Sequence, residues 1–482
     1  MKHLTLMLLF GFLTGCAVFA PDERTGSPTE LPDKYSLEQA GAFDPGRWWK
    51  SFNSTELDHL VDTALQGNFD LRSAYARVEQ AYATARKTNA ALYPSLDGET
   101  SASQERRYRQ SNSRANHAYS ETEAYYLGLA ASYEVDLWGR LRSLSEAGRL
   151  EAEATQEDYE SAAMTLAASV ASAWADLLAV RQEKSILEEQ IKTNETILHL
   201  QELRFANGLA NALDVSQQRE LVVAARADLV PLEAREKLYL NSLALLLGST
   251  SPDAVQVKQQ TVPRPPPLPA TGIPANLLVM RPDVRSAQLR LTSADWDVSA
   301  ARADRLPNLV LSADAAFSSA QFTTILTNWM TNIAGGLTAP IFDGGARAAE
   351  VDRTRAVVSE NLNDYAQTVA TAVKEVQDAL VNESHQKRYI ELLEDQLRVA
   401  RISLYEARQR YLKGLSDYLT YVSQLTSVQS LERQIVQERG TLLTDRVDLH
   451  RALGGDWTKE LRPLAKVKEQ TSPDGDKSLQ GS

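Results

Sequence analysis

The chain has 482 residues, of which 51 are Lys or Arg and 63 are Asp or Glu, so its formal net charge is −12. This acidic balance provides no basic stripe that could neutralise phosphates, and we expect no nucleic-acid partner. The six histidines are scattered and Cys16 is the only cysteine, so neither a zinc site nor a structural disulfide can be built from the usual ligands, and we expect no metal and no cofactor.

The N-terminus has the pattern of a processed leader. Lys2 is followed by the apolar run Leu4 to Leu13 and by two small residues before Cys16. About ten apolar residues are too few to span roughly 30 Å of hydrocarbon as a helix. A plain secretory signal would fit, but the sequence LTGC that ends at Cys16 resembles the lipobox of bacterial lipoproteins. We therefore expect residues 1–15 to be a lipoprotein signal peptide and Cys16 to be lipidated, and by the same resemblance Ala17 favours the outer membrane.

Two helices are predicted near the start of the mature chain. Residues 16–54, rich in Pro, Gly and acidic side chains, are expected to form an extended segment. A short helix is predicted from Thr55 to Gln66, and a longer one from Asp70 to about Leu92. Pro94 should end the longer helix, because the residue before a proline is disfavoured in the helical conformation.

Four strands are predicted, two in each half of the chain. In the first half they cover about residues 95–104 and 125–134, and the polar segment between them reads as a loop. In the second half they cover about residues 309–317 and 332–341, where apolar residues alternate with small or polar ones. Two amphipathic hairpins on a soluble core would explain this pattern. So would a membrane barrel, whose strands need about 9 to 11 residues of such alternation.

A membrane location for these strands requires an oligomer. The smallest membrane barrels have about eight strands, and four cannot close. Unpaired strand edges are not tolerated in lipid. Three copies of the chain would supply twelve strands.

Very long helices follow the strands in both halves. Almost no Gly or Pro interrupts Leu141 to Phe205 or Ala346 to Leu412. At about 1.5 Å per residue each run would be roughly 98 Å long, which no ordinary globular core needs.

Each long helix is predicted to turn back on itself at a Gly-Leu pair. These pairs are Gly208-Leu209 and Gly414-Leu415, where glycine supplies the positive φ of a tight reversal. Hairpins are therefore predicted over residues 141–247 and 346–453. Pro231 should kink the first return helix.

The chain contains a duplicated half. Residues 204–248 align without gaps on residues 410–454 at an offset of 206, with ten identities in 45 positions. A second match lies upstream at an offset of 213, where for example Asp70 meets Asp283. We therefore predict a first repeat over residues 55–248 and a second over residues 275–454. A stiff Pro-rich linker at 249–274 joins them, and a partly disordered tail at 455–482 follows.

The lipobox, the duplicated half and the paired Gly-Leu turns together resemble the TolC-type outer-membrane efflux proteins, in particular their lipoprotein branch. The likeness covers about residues 13–457, and its most specific motifs are LTGC, NGLANALDV and KGLSDYLTY. It implies a mainly α fold with a membrane β-barrel, in which a homotrimer forms a twelve-stranded barrel and a long α-helical periplasmic tunnel. It also implies a passive outer-membrane channel without catalysis, whose partners are a periplasmic adaptor protein, an inner-membrane pump and outer-membrane lipid.

The resemblance also assigns roles to residues at the turns. It places the tips that bind the adaptor at Gly208, Leu209, Gly414 and Leu415. It places the periplasmic gate at Tyr411, Leu419 and Asp214. The pore aspartate of the family is Ser423 here, and Asp417 is the candidate that could partly replace it.

Plainer explanations exist for several of these residues. Asp214 also fits a helix N-cap, Tyr411 a buried aromatic at the tip, and Asp417 an exposed turn residue. For the whole chain, one alternative is an exported hydrolase, against which the sequence has no nucleophile elbow, paired-His helix or glycine-rich phosphate loop. The other is a lipid-anchored, adaptor-like coiled-coil protein of an export system. Such adaptors carry one hairpin inserted in a β-rich body, whereas two hairpins are predicted here. The transported substrate is not predicted by the sequence.

Overall fold

The structure is a computed structural model that describes residues 19–21, 30–35, 37, 46–110 and 117–461. Cys16, the leader and residues 462–482 lie outside the described residues. The chain divides into two compact units. The strand unit contains the described residues of 1–28, 77–155 and 286–366, and the hairpin unit contains those of 29–76, 156–285 and 367–482. Each unit therefore draws on both halves of the sequence.

The described residues form eight α-helices and four strands. The helices are α1 (Thr55–Gly67), α2 (Phe69–Asn89), α3 (Arg140–Ala206), α4 (Ala212–Leu246), α5 (Leu277–Met280), α6 (Pro282–Ala303), α7 (Ala346–Leu412) and α8 (Tyr418–Leu453). The strands are β1 (Ser95–Gln110), β2 (His117–Val135), β3 (Asn308–Ser319) and β4 (Trp329–Thr338). Ser54 caps α1 by accepting a hydrogen bond from the Leu57 amide.

The strand unit contains one antiparallel sheet in the order β1-β2-β3-β4. Its two β-hairpins, β1–β2 and β3–β4, pair equivalent residues of the two halves. Ser95 pairs with Ser132 in the first β-hairpin, and Asn308 pairs with Thr338 in the second. Asn308 lies 213 residues after Ser95, and Thr338 lies 206 residues after Ser132. The sequence offset of 213 thus relates β1 to β3, and the offset of 206 relates β2 to β4.

The strand boundaries differ from the predicted ones at two places. β1 and β2 extend through most of the polar segment that was predicted as a loop, because backbone groups form the ladder whatever the side chains are. Polar pairs such as Arg106 and Glu121, 3.1 Å apart, also join the two strands there. β4 begins at Trp329 and ends at Thr338 rather than at residue 341. Pro340, which follows, has no N–H to donate to a ladder.

Each long hairpin in the hairpin unit has its own apolar core. Val180, Leu187, Ile191, Ala225 and Leu232 pack together where α3 meets α4. Leu393, Leu431 and Ile435 do the same where α7 meets α8. α4 continues through Pro231 without ending. Helix α3 also contains a window apolar enough to cross a membrane, but 72% of that window is buried, as in a core helix.

The ends of the return helices are held in the same way in both halves. Asn68 Nδ2 donates a hydrogen bond to the Leu246 carbonyl at 3.0 Å. At the equivalent point of the second half, Arg281 Nη1 donates to the Ala452 carbonyl at 3.1 Å. Gly248, with φ +73°, follows the first of these helix ends, and a Cβ there would lie 2.1 Å from the Gly67 carbonyl oxygen. Only glycine fits this approach of two backbones.

The Pro-rich linker is tied to both hairpins. The Val262 amide donates to Gln182 Oε1 of α3 at 2.8 Å. Arg446 of α8 donates to the carbonyls of Pro266 and Pro267 and forms an ion pair with Glu383 of α7. The side chains of this ion pair are only 4% and 7% exposed. The linker therefore contacts both helical hairpins, α3–α4 through Gln182 and α7–α8 through Arg446.

Candidate functional site

The two Gly-Leu turns have the same backbone geometry. Gly208 and Gly414 have φ values of +68° and +69°. The Leu209 amide donates to the Arg204 carbonyl at 2.8 Å, and the Leu415 amide donates to the Arg410 carbonyl at 2.9 Å. These are the hydrogen bonds of a Schellman motif, in which glycine ends the helix.

The leucines at both tips are exposed. Leu209 and Leu415 each have 67% of their surface accessible. Among the described residues, no neighbouring atom lies within 4 Å of the position that a Cβ would take at Gly208 or Gly414. Turn geometry explains the glycines, but it does not require an apolar side chain next to them. The tips therefore present an apolar residue on an open backbone turn, which suits contact with a partner.

Three tyrosines cluster directly behind the second tip. The ring centroids of Tyr411 and Tyr418 are 5.2 Å apart, and those of Tyr418 and Tyr421 are 5.8 Å apart. Tyr411 also stacks on Tyr421 at 6.2 Å, and the Arg204 guanidinium lies 5.2 Å from the Tyr411 ring centroid. Tyr418 is the most buried of the three, with 1% exposed.

Hydrogen bonds join this cluster, which lies on the second helical hairpin (α7 and α8), to the first helical hairpin (α3 and α4). Tyr411 donates from its hydroxyl to Gln201 Oε1 at 3.0 Å, and Tyr418 donates to Gln218 Oε1 at 2.6 Å. Burial raises the pKa of Tyr418, and the neighbouring Tyr421, Tyr411 and Asp214 raise it further. Tyr418 is thus a neutral hydrogen-bond donor at physiological pH. The tyrosine cluster holds the second hairpin against the first.

The two aspartates predicted at the gate both lie at helix starts. Asp214 forms a capping box with Asn211, whose side chain accepts from the Asp214 amide at 2.8 Å. Asp417 caps α8 by accepting from the Thr420 amide at 3.1 Å. The Thr420 side chain and amide hydrogen bonds hold the pKa of Asp417 below its usual value.

Leu419 and Ser423 lie on the first turns of α8. Leu419 is 53% exposed. Ser423 donates from its hydroxyl to the Leu419 carbonyl at 2.8 Å, so its side chain bonds back to its own helix. In the described part of the chain, no group of three or more His, Cys, Asp or Glu side chains could hold a metal ion.

The sequence reasoning missed the residues that complete this network. Tyr418, Gln201 and Gln218 were not singled out, although Tyr418 is the best buried tyrosine of the site. The signal available was the motif KGLSDYLTY, which places two tyrosines three residues apart at the start of a helix. Gln218 is one of the ten identities between the repeats, but an identity does not reveal a partner, and Gln201 carried no signal. The tyrosines that they bond lie about 200 residues away, for example Tyr418 for Gln218.

Comparisons with known proteins place the chain among efflux channels. The model of the family described as outer membrane efflux protein matches residues 60–249 and 273–455. The pyoverdine export outer membrane protein OpmQ of Pseudomonas aeruginosa is 32% identical over 477 residues, which cover 97% of this chain and 99% of OpmQ. The cation efflux system protein CusC of Escherichia coli K12 is 30% identical over 461 residues, which cover 92% of this chain and 97% of CusC. The solved outer-membrane channel OprN superposes with a TM-score of 0.83 at 27% identity, over 92% of this chain and 100% of OprN.

Proposed function

Because the chain belongs to the outer membrane efflux protein family, we propose that it is the exit duct of a tripartite efflux pump. It works as a homotrimer in the outer membrane and conducts small molecules passively from the periplasm to the outside. A periplasmic adaptor joins it to an inner-membrane pump, which supplies the energy. The family match covers residues 60–249 and 273–455, which is nearly all of both predicted repeats, so the adaptor-like alternative with a single hairpin is set aside.

The tyrosine cluster is the observation that carries the proposal of a gate. Its hydrogen bonds to Gln201 and Gln218 tie the end of one hairpin to the end of the other. A closed duct needs such a contact at the end that faces the pump, and an open one needs it released. Tyr411, Asp214 and Leu419 belong to this gate, and Asp417 orders the helix start beside it.

The exposed leucines at the tips are the surface for the adaptor. Replacing both Leu209 and Leu415 with Asp should abolish efflux in cells, because burying a carboxylate in an apolar contact is costly. The same variant should keep its conductance as a purified protein. Leu200→Asp is the matched control, since Leu200 is 50% exposed on α3 away from the tip. Efflux that survives the tip substitutions would remove these leucines from the adaptor contact.

The direct test of the channel is single-channel conductance in a planar bilayer, with the oligomeric mass measured on the same preparation. We expect a trimer that gives small, mostly closed events. A monomer without conductance would overturn the proposed function. Lipidation of Cys16 is tested separately by incorporation of labelled palmitate, which Cys16→Ser should abolish.

The cargo is chosen by the pump rather than by this duct. OpmQ is named for pyoverdine export and CusC for cation efflux, and both align with more than nine-tenths of this chain. Relatives of one length and one family thus carry the names of different cargoes. Exchange of the pump and adaptor genes around an unchanged duct should therefore change which compounds leave the cell.

A further inference from the structure

The contacts inside each hairpin and the contacts between the hairpins differ in chemistry. Inside the hairpins, the contacts α3–α4 and α7–α8 each contain an apolar cluster, next to polar contacts such as that of Gln386 with Glu438. Between the hairpins, α3 faces α8 with amide side chains. Gln190, Asn194 and Gln201 of α3 are only 5%, 0% and 2% exposed, and they are spaced by four and seven residues along one side of the helix. We call this contact the amide seam.

A reciprocal amide pair lies at the centre of the amide seam. Asn194 Nδ2 donates to Gln429 Oε1 at 3.2 Å, and Gln429 Nε2 donates to Asn194 Oδ1 at 3.0 Å. Gln190 Nε2 donates to the Gln429 carbonyl at 3.0 Å. Gln218 Nε2 donates to the Asn194 carbonyl at 2.8 Å and accepts from Tyr418. Gln218 therefore bonds both to the backbone of Asn194 and to Tyr418 of the tyrosine cluster.

Two cavities lie beside α3 and α8 within the hairpin unit, and the second of them reaches the amide seam. One, of about 420 Å³, is lined by polar residues that include Glu183, Arg433 and Gln437, next to Pro231. The other, of about 580 Å³, is lined by residues that include Gln190 and Gln429. Both are large and polar enough to hold several waters. Water in the second cavity therefore reaches Gln190 and Gln429 before the hairpins separate.

The chemistry of the seam determines how readily it can open. When two paired amide groups separate, each forms hydrogen bonds with water instead, so the net free-energy change of separating them is small. Apolar side chains that are pulled apart gain no such replacement. The hairpins should consequently stay intact while the contact between them parts.

We propose that the Asn194–Gln429 pair is a latch of the gate, which holds the second hairpin on the first in the closed state and is replaced by water when the duct opens. This inference rests on the proposed channel function. It assigns a positioning role to two residues that lie well behind the tips, 14 residues before Gly208 and 15 residues after Gly414. The tyrosine cluster and the latch would release together, because the Tyr418–Gln218 and Gln429–Asn194 contacts both join the second hairpin to the first.

Two variants with opposite expected effects test the latch. Gln429→Leu leaves the buried Asn194 amide without its partner in the closed state only, so the open probability should rise at least fivefold. Asn194→Leu combined with Gln429→Met makes the seam apolar with side chains of similar size, so the open probability should fall at least tenfold. Both are measured on the purified trimer in planar bilayers. A merely structural role would change trimer stability and would not reverse the sign between the variants.

Gln386→Leu is the matched control. Gln386 Nε2 donates to the Glu438 carbonyl at 3.0 Å and to Glu438 Oε2 at 2.7 Å, so it joins α7 to α8 within one hairpin. Its substitution should leave the open probability within twofold of the original. Equal shifts from Gln386→Leu and Gln429→Leu would overturn the latch.

A reversible crosslink tests the latch without relying on the packing of an apolar pair. Asn194→Cys with Gln429→Cys, bridged on the assembled trimer by a short bis-methanethiosulfonate, should stay closed until a reductant is added. Conductance that persists after bridging would overturn the latch. An original protein that gives no conductance at all would instead overturn the proposed function, so the two failures are distinguishable.

Discussion

Tyr418→Phe should open the duct more than any other single loss of a hydroxyl at the gate. The substitution removes the donor that lies 2.6 Å from Gln218 Oε1 and keeps the ring. Tyr418 is 1% exposed and Gln218 is fully buried, so water cannot reach the acceptor while the gate is closed. An unpaired buried acceptor costs about 1 to 3 kcal/mol. That cost falls on the closed state, and it corresponds to roughly a 5- to 150-fold shift towards the open state.

Tyr411→Phe should have a smaller effect in the same direction. The Tyr411 hydroxyl bonds to Gln201 at 3.0 Å in a part-buried position that water can reach. The net loss is then about 0.5 to 1.5 kcal/mol, the usual worth of one hydrogen bond in a folded protein. We expect the trimer to remain intact and the conductance to rise less than in Tyr418→Phe.

The assay is the open probability of single channels in planar bilayers, with trimer mass and melting temperature measured alongside. Tyr405→Phe is the control, because Tyr405 lies on α7 with 60% of its surface exposed. It should behave like the original protein. A larger effect from Tyr411→Phe than from Tyr418→Phe would refute the reasoning from burial, as would an unchanged open probability in Tyr418→Phe.

Three further substitutions are predicted to change stability. Gly248→Ala should sharply lower the yield of folded protein, because its Cβ would overlap the Gly67 carbonyl. Gly208 has a similar φ but open space around it, so Gly208→Ala should lower the free energy of unfolding by only about 1 to 2 kcal/mol. Arg446→Met should cost about 3 to 5 kcal/mol, measured by thermal unfolding, because it leaves the Glu383 carboxylate buried and unpaired, and adding Glu383→Leu should recover most of that loss. Burial, followed by Asp448, Glu383 and Glu438, raises the pKa of Asp445 to about 6. The native state therefore binds this proton more tightly than the unfolded chain, so stability should fall as pH rises from about 4 to 6. Asp445→Asn should remove this pH dependence and raise the melting temperature at pH 7. An unchanged pH profile in this variant would contradict the assignment to Asp445.

Much of the fold could be predicted from the sequence because it repeats. The resemblance to TolC-type outer-membrane efflux proteins is confirmed by the family match and by the superposition on OprN. The mainly helical fold class and the function as an outer-membrane efflux channel follow from the same findings. α7 has the bounds that the absence of Gly and Pro predicted, and α8 ends at Leu453, where the second hairpin was predicted to end. Long uninterrupted helices leave few alternatives, so their ends are set by the glycine turns.

The gate was harder to predict because its contacts join distant segments. Asn194 and Gln429 are polar residues in the middle of two helices, where the usual expectation is an exposed face. Both are buried because each satisfies the other across 235 residues of sequence. Such a pairing leaves no periodic signal. The polar ends of β1 and β2 were missed for a related reason, since backbone pairing between neighbouring strands does not depend on alternation of side chains. The roles of the tips, of the gate residues and of Cys16 stay predictions.

The repeated tie at the ends of the return helices limits which chimeras of the two halves can be built. Asn68 and Arg281 bind equivalent carbonyls, but Arg281 also pairs with Asp283 and with Glu375 at 2.8 Å. The position that corresponds to Glu375 in the first half is Ser169. Asparagine could therefore replace Arg281 and keep the hydrogen bond to the Ala452 carbonyl. Arginine at position 68 would have Asp70 as one counter-ion but would lack the second, because Ser169 stands where the second half has Glu375. Grafting should be tolerated from the first half into the second and poorly tolerated in reverse.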